Sequence, residues 1–142
     1  MECRGCGVGC RSCELIDRVE RTADSGSTFE ELKSLRAGAG GLYQHCLKIV
    51  DVDRLFVAGG WVGWRLPGAG MVRRTAIMYR FSTDSWTRLN PMTHEREGHT
   101  CSLVENHSAQ KQIVVTGGWD GFYVLDSVEI WDLDTGLWQA GG

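Results

Sequence analysis

Two segments of the sequence, RLFVAGGW at residues 54–61 and QIVVTGGW at residues 112–119, each combine a short apolar run, a glycine pair and a tryptophan. The two glycine pairs lie 58 residues apart. An apolar run of this length that ends in glycine is typical of a buried β-strand followed by a tight turn. Two such segments indicate an internal repeat, and an internal repeat determines how the rest of the sequence is interpreted.

The similarity continues on both sides of the glycine pairs. Downstream, Tyr79 and Trp86 of the first copy correspond to Trp131 and Trp138 of the second, and each pair is separated by seven residues. Upstream, QHCLKIV at residues 44–50 corresponds to GHTCSLV in the second copy. Each copy therefore predicts four short strands joined by turns. We expect them near residues 43–50, 54–58, 75–81 and 85–89 in the first copy, and near residues 99–105, 112–117, 126–132 and 136–140 in the second.

The two copies differ in one connection and share one cysteine. The connection between the second and third strands is about six residues longer in the first copy, within residues 61–74. In these two segments Cys46 and Cys101 are the third and fourth residues, and we treat them as matching positions inside strands. We interpret both as small buried apolar residues rather than as a disulfide or a nucleophile.

Four short antiparallel strands, a glycine pair after the second strand and two aromatic residues seven apart resemble the kelch repeat of β-propellers. The resemblance covers roughly residues 41–142 and implies an all-β fold with two four-stranded antiparallel blades of a kelch-type β-propeller. In that family the glycines permit a tight turn and the aromatic residues pack between neighbouring blades. The residues given these structural roles are Gly59, Gly60, Tyr79, Trp86, Gly117, Gly118, Trp131 and Trp138.

The predicted propeller is incomplete. Propellers close with about four to eight blades, whereas the sequence supplies two repeats. We therefore expect a fragment, with further blades supplied by the same chain or by self-association. The expected organisation is a Cys-rich, poorly ordered leader at residues 1–28, a last strand of a preceding blade within 29–40, repeat 1 at 41–92 and repeat 2 at 93–142.

The leader raises two separate questions. Its four cysteines could hold one zinc ion, but structural zinc sites usually separate their two cysteine pairs by about 12 to 20 residues, and here the separation is three. We expect no cofactor, with zinc as the alternative at Cys3, Cys6, Cys10 and Cys13. The leader is expected to be irregular or partly helical: Glu14–Glu20 could form a short helix, and Thr28 with Glu31 matches a helix-capping pattern that competes with a strand over Phe29–Leu35.

The composition limits the class of partner. The 142 residues are 42% hydrophobic, with 15 Lys and Arg against 18 Asp and Glu, a formal charge of −3. This balance predicts a globular domain without nucleic-acid binding, and the apolar stretches are too short to cross a membrane. The compartment is unknown: the absence of a signal sequence favours the cytoplasm, and secretion stays open if the N-terminus is incomplete.

The resemblance implies a function in protein interaction. In kelch-type propellers the rim that carries the connection between the second and third strands commonly binds partners. The chain is rich there in Trp, Tyr and Arg, the residue types that dominate interface energetics. We predict a non-catalytic module that binds a protein or peptide partner. The candidate contacts are Trp64, Arg65, Arg73, Arg74, Phe122 and Tyr123; Arg96 in the following connection is a further donor of the same kind.

Two alternatives belong to other classes of function. The first is a propeller enzyme resembling galactose oxidase, but the three tyrosines and four histidines of the chain do not match its copper site, and no common catalytic motif is present. We therefore do not expect an enzyme. The second is a zinc-binding leader attached to a structural repeat.

Overall fold

The computed structural model describes residues 19–24, 28–32, 42–62 and 71–141, and every regular element in these ranges is a β-strand. The strands are β1 (Val19–Asp24), β2 (Thr28–Leu32), β3 (Leu42–Tyr43), β4 (Cys46–Ile49), β5 (Arg54–Ala58), β6 (Trp61–Val62), β7 (Met71–Val72), β8 (Ala76–Arg80), β9 (Ser85–Arg88), β10 (Thr100–Glu105), β11 (Lys111–Thr116), β12 (Val128–Asp132) and β13 (Trp138–Gly141). Within these ranges no helix has the length and hydrophobicity to span a membrane.

Two four-stranded antiparallel sheets form the main body of the fold. Blade 1 has the strand order β4-β5-β8-β9, and blade 2 has the order β10-β11-β12-β13. Both are simple meanders, because each strand pairs with its predecessor in the same blade. The eight strands predicted for the two copies are therefore confirmed, with small differences at their ends.

The repeated aromatic residues occupy the same position in both blades. Tyr79 lies opposite Trp86 across β8 and β9, with ring centroids 4.8 Å apart. Trp131 lies opposite Trp138 across β12 and β13, at 5.2 Å. The spacing of seven residues thus reflects a hairpin that brings two large rings together on one face of each sheet.

Strand pairing continues beyond the glycine pair in blade 1, whereas in blade 2 it is limited to isolated bridges. In blade 1, β3, β6 and β7 form a short extension in which Trp61 lies opposite Val72. In blade 2 the extension is reduced to two isolated bridges, from Trp119 to Glu97 and to Val124. The chain takes eleven residues from Trp61 to Val72 and five from Trp119 to Val124, which confirms the six additional residues in the first copy.

The core lies between the two blades. Phe56, Ala58 and Met78 of blade 1 pack against Ile113 and Val115 of blade 2, and all five side chains are buried. Trp131 and Trp138 join this cluster, and the ring centroid of Trp138 lies 6.2 Å from that of Phe56. The prediction that the aromatic residues pack between neighbouring blades is confirmed for this pair.

Blade 1 buries a second apolar cluster on its opposite face. Leu55, Val57 and Tyr79 are at most 3% exposed there, and Trp86 and Phe81 pack beside them. A blade with two apolar faces agrees with a propeller, in which each blade lies between two others.

The structure corrects the interpretation of the two strand cysteines. Cys46 lies opposite Ala58, and the equivalent position of blade 2 is Thr100, opposite Thr116. Cys101 is therefore shifted by one residue, and a shift of one residue moves a side chain to the other face of a strand. Cys46 thus faces blade 2 and Cys101 faces blade 1, and their sulfur atoms join in a disulfide with the Cα atoms 5.8 Å apart.

The described part of the N-terminal region is a hairpin. β1 and β2 pair antiparallel, with Val19 opposite Leu32 and Thr22 opposite Phe29. The helix suggested over Glu14–Glu20 is wrong for its last two residues, which begin β1, and the capping pattern at Thr28 begins a strand instead. Valine, threonine and phenylalanine favour extended backbone, and a helix of one or two turns has little stability of its own. The assignment of Phe29–Leu35 to a preceding blade stays a prediction.

The glycine pairs make the predicted turns. Gly59 and Gly60 have φ angles of +64° and +92°, and Gly117 and Gly118 have nearly the same values, +68° and +95°. At Gly59 space is a second requirement, because an added Cβ would lie 2.6 Å from the carbonyl oxygen of Arg96 and would collide with the ring of His99. The pair therefore lets the connection into blade 2 lie directly against the end of β5.

Candidate functional site

The two ends of the blades differ in the kind of connection they carry. At one end, which we call the turn end, short hairpins are closed by Asp or Asn side chains that accept backbone N–H groups. Asp51 accepts those of Asp53 and Arg54, and Asp132 accepts those of Asp134 and Thr135. The other end carries the glycine pairs and the longer connections. We call its residues 71–75, 93–97 and 119–125 the rim surface.

The connection at residues 119–125 presents large apolar side chains to solvent. Phe122, Tyr123 and Val124 are 83%, 74% and 86% exposed, and Trp119 is 40% exposed. The exposure is fixed by Asp120, whose Oδ1 atom accepts the N–H groups of Phe122 and Tyr123 at 2.7 Å each. These two hydrogen bonds also hold the pKa of Asp120 below its usual value. The backbone of the turn is therefore ordered while its apolar side chains lie in solvent.

Beside this loop lies a shallow cleft of about 320 Å³, which we call the arginine cleft. Its charged lining residues are Arg73, Arg74, Arg88 and Glu95, three arginines and one glutamate. Its apolar walls come from Met71, Val72, Leu89 and Pro91. The cleft is suited to an anionic group that carries an apolar neighbour.

The backbone around the cleft is held from both sides. The Arg73 N–H donates to the Gly60 carbonyl at 2.8 Å, and the Arg73 carbonyl accepts the N–H of Arg96 at 3.1 Å. The Arg74 carbonyl accepts the N–H of Met92 at 2.8 Å. The two adjacent arginines thus project from a fixed segment.

The single carboxylate in the cleft weakly engages one arginine. Arg74 Nε lies 3.9 Å from Glu95 Oε1, and both side chains are about half exposed. An ion pair of this length and exposure contributes little to stability, so a ligand carboxylate could replace it at small cost.

The loop and the cleft form one surface. Gly121, in the middle of the aromatic loop, faces Val72, which lines the cleft, and an added Cβ on Gly121 would lie 3.6 Å from Val72 Cγ2. The predicted contacts Arg73, Arg74, Phe122 and Tyr123 are therefore neighbours in space. Trp64 and Arg65, the other two predicted contacts, lie outside the described residues.

Arg96 lies within the rim segment 93–97, but its side chain turns inward and adds nothing to the exposed surface, which corrects the expectation from the sequence. Its side chain is fully buried, and all five N–H groups have acceptors. Three reach the carbonyls of Gly117 and Ser127 and the Ser127 hydroxyl, and two reach Glu129 Oε1. An alternating charge pattern in a loop is typical of a solvated surface, and nothing in it distinguishes the one arginine that turns inward.

Glu129 is the buried counterpart of Arg96. Burial raises the pKa of its carboxyl group, but hydrogen bonds from the backbone N–H groups of Thr93 and His94 and from Arg96 outweigh burial and bring the pKa below its usual value. The carboxylate therefore stays ionised and ties residues 93–96 to β12. Its role is structural, although it lies next to the rim surface.

His99 is also structural. It is 7% exposed, its Nε2 atom lies 3.1 Å from the Ala58 carbonyl, and burial lowers its pKa to about 4. Within the described ranges no three His, Cys, Asp or Glu side chains come together as metal ligands. The zinc alternative falls on Cys3, Cys6, Cys10 and Cys13, which lie outside the described residues.

Sequence reasoning missed part of the cleft. Arg88 is the last residue of β9, and it lines the cleft because β9 pairs with β8, which places Arg88 opposite Ile77, three residues after Arg74. Pro91 lies in the connection to blade 2 and forms part of the wall. The alternation of Trp86 and Arg88 indicates only that both lie on the same face of one strand.

Comparison with known proteins identifies the repeat. The kelch motif matches residues 100–142, which cover blade 2 from β10 to its end. No curated protein matches the sequence. A solved structure titled "Structure of YjhT", a kelch-type propeller, is similar with a TM-score of 0.66 at 16% identity, over 88% of this chain and 44% of that one. The chain thus spans less than half of that structure's length. It therefore carries a kelch repeat, and its two four-stranded blades have the architecture of a kelch-type β-propeller.

Proposed function

We propose that the protein is a non-catalytic interaction module whose rim surface binds a protein or peptide segment. The observation that carries this proposal is the pairing of two features on one surface. Phe122, Tyr123 and Val124 are held in solvent by a fixed turn, and the arginine cleft lies directly beside them. Apolar side chains exposed at this level and adjacent to planar cationic groups are typical of interface residues.

The same features favour a particular kind of segment. The cleft contains three arginines and one glutamate, so it favours a carboxylate, and Arg73 and Arg74 project from a backbone that is already ordered. The exposed aromatic residues favour an apolar side chain a few residues away. We therefore expect a segment that combines Asp or Glu with an aromatic or aliphatic residue.

Selection of peptides from a random library on the full chain tests the proposal. Selected peptides are expected to be enriched in an acidic residue near an apolar one. Replacing Arg73 and Arg74 with Ala is expected to weaken their binding at least about tenfold, since each hydrogen bond to a charged group contributes about 1.5 to 3 kcal/mol. Replacing Phe122 and Tyr123 with Ala is expected to have an effect of the same order.

Matched controls lie at the turn end of blade 1. Arg80 is half exposed at the far end of β8 and pairs with Asp53, and Val52 is 99% exposed in the turn between β4 and β5. Replacing either with Ala is expected to leave peptide binding unchanged. If peptides bind equally well to the rim variants, or if the Arg80 variant loses binding to the same extent, the rim surface is not the binding site.

A further inference from the structure

We infer that Cys46 and Cys101 form a reversible thiol–disulfide exchange site that links the two blades and controls how firmly the backbone below the rim surface is held. The two residues are 55 positions apart in sequence and belong to β4 and β10, the first strands of blade 1 and blade 2, which contact each other. The bond is therefore a crosslink between blades rather than within one.

The position of the crosslink follows from the register of the strands. Cys46 lies on the face of β4 that packs toward blade 2, together with Ala58 and Phe56. Cys101 lies on the face of β10 that packs toward blade 1, together with Val115 and Ile113. Had the two cysteines occupied equivalent positions in the repeat, they would face in the same direction and could not meet.

The crosslink lies close to backbone that supports the rim surface. The N–H of Gly98, three residues before Cys101, donates to the carbonyl of Gln44 at 3.0 Å, and Gln44 lies two residues before Cys46. The preceding residue, Glu97, exchanges two backbone hydrogen bonds of 2.9 Å with Trp119, where the aromatic loop begins. Opening the disulfide is therefore expected to loosen Gly98 and Glu97, and with them the start of that loop.

The two sulfur atoms differ in access. Cys46 is 4% exposed, whereas Cys101 is partly exposed, so exchange is expected to begin at Cys101. In oxidation, the Cys101 thiolate attacks a small disulfide such as glutathione disulfide, forms a mixed disulfide and releases one glutathione thiolate. The Cys46 thiolate then attacks the Cys101 sulfur and releases the second. Two protein thiols are oxidised, one external disulfide is reduced to two thiols, and the thiol protons pass to the released thiolates.

The test uses the full chain with Cys3, Cys6, Cys10 and Cys13 changed to Ser, so that Cys46 and Cys101 are the only cysteines. The chain is equilibrated with mixtures of reduced and oxidised glutathione, and its free thiols are counted by alkylation and mass spectrometry. We expect a single Cys46–Cys101 disulfide, with a midpoint of thermal unfolding roughly 5 to 15 °C above that of the reduced chain. We also expect faster hydrogen exchange at the amides of Glu97, Gly98 and Trp119 after reduction.

A matched control moves one cysteine to the opposite face of β10. The variant T100C/C101T keeps the composition but places the thiol at the true equivalent of Cys46, and it is expected to remain reduced. Two results would overturn the proposal: both thiols remaining free in excess glutathione disulfide, or oxidised and reduced chains with the same unfolding midpoint and the same amide exchange. Because the second comparison uses one unchanged fold in two redox states, it does not depend on how well the control folds.

Discussion

Arg96 and Glu129 form an ion pair in the interior of the protein, 33 residues apart in the chain, with Arg96 Nη2 3.0 Å from Glu129 Oε1. The two side chains are 0% and 5% exposed. Arg96 belongs to the connection that enters blade 2, and Glu129 belongs to the third strand of that blade. The pair therefore fixes the path of the chain between the blades, at the place where the rim surface begins.

Replacing Arg96 with Met is expected to lower the free energy of unfolding by about 3 to 5 kcal/mol, because it leaves a buried carboxylate without its partner. Urea denaturation followed by tryptophan fluorescence measures this change. The double variant R96M/E129I removes both charges and places at residue 129 the residue that blade 1 has at the equivalent position, Ile77. We expect its loss to be smaller than the sum of the two single losses. Additive losses would mean that the two side chains do not depend on each other.

Replacing Gly59 with Ala is expected to cost at least about 3 kcal/mol, since the new Cβ would meet both the Arg96 carbonyl and the His99 ring at a positive φ. Gly98 offers a matched control. It has nearly the same φ, +63°, but open space around its Cα, and the equivalent residue of blade 1, Gln44, already adopts φ +49°. We expect Gly98→Ala to cost only about 1 kcal/mol. Thermal unfolding compares the two, and similar losses would show that the close approach at Gly59 has no effect.

The stability of the fold is expected to fall as the pH drops from about 6.5 to about 4. His99 has a pKa of about 4 in the folded chain, because it is buried and because the charges of Arg96 and His45 add to the effect of burial. In this range the unfolded chain binds a proton at His99 that the folded chain does not, so protonation favours unfolding, by about 2 to 3 kcal/mol over the whole range.

The variant His99→Gln keeps a side-chain N–H that can donate to the Ala58 carbonyl but does not titrate. Its free energy of unfolding is expected to depend less on pH between 6.5 and 4 than that of the unmodified chain. His107, exposed in the turn between β10 and β11, gives the control, and His107→Gln is expected to leave the pH profile unchanged. Profiles that are identical for all three proteins would contradict the assignment.

Replacing Asp120 with Ala is expected to weaken partner binding by about three- to tenfold while the unfolding midpoint changes by less than about 2 °C. The carboxylate orders the loop through the N–H groups of Phe122 and Tyr123, and both of these residues lie outside the buried core. Without it, binding must first order the loop, at a cost of about 1 kcal/mol. Peptide affinity and thermal unfolding, measured on the same sample, separate the two effects. A large loss of stability would mean that the loop supports the blade.

Strand positions could be predicted from the sequence because the same pattern of residues occurs twice in the chain. The glycine pairs and the hairpin aromatics can be recognised in the sequence even where one residue type replaces another, as at Tyr79 and Trp131. The face on which a strand residue lies, toward one neighbouring blade or the other, is harder to recognise in the sequence. Treating Cys46 and Cys101 as equivalent gave plausible strands but an incorrect face: they lie one position apart in the aligned segments, and the partners across the ladder show that this one residue reverses the face.

The site was predicted in part for a related reason. Arg73, Arg74, Phe122 and Tyr123 lie in connections whose positions follow from the repeat, so their presence on one rim could be inferred. Arg96, which the sequence places on the rim, is buried, whereas Arg88, to which the sequence gives no role, lines the cleft. The loop arginine turns inward to Glu129, and the strand arginine lines the cleft. Both outcomes depend on contacts with residues distant in sequence, and neither residue spacing nor composition predicts such contacts.

The core between the blades has a consequence for synthesis on the ribosome. Blade 1 can complete its hairpins once residue 88 has emerged, but Phe56, Ala58 and Met78 meet their partners in blade 2 only when β11 and β12 follow, and β12 ends more than 40 residues later. At ordinary rates of translation this interval lasts roughly 2 to 9 seconds. During that time the face of blade 1 that packs against blade 2 lacks its partner, so the yield of folded protein is expected to depend on chaperone supply and on translation speed through residues 89–132.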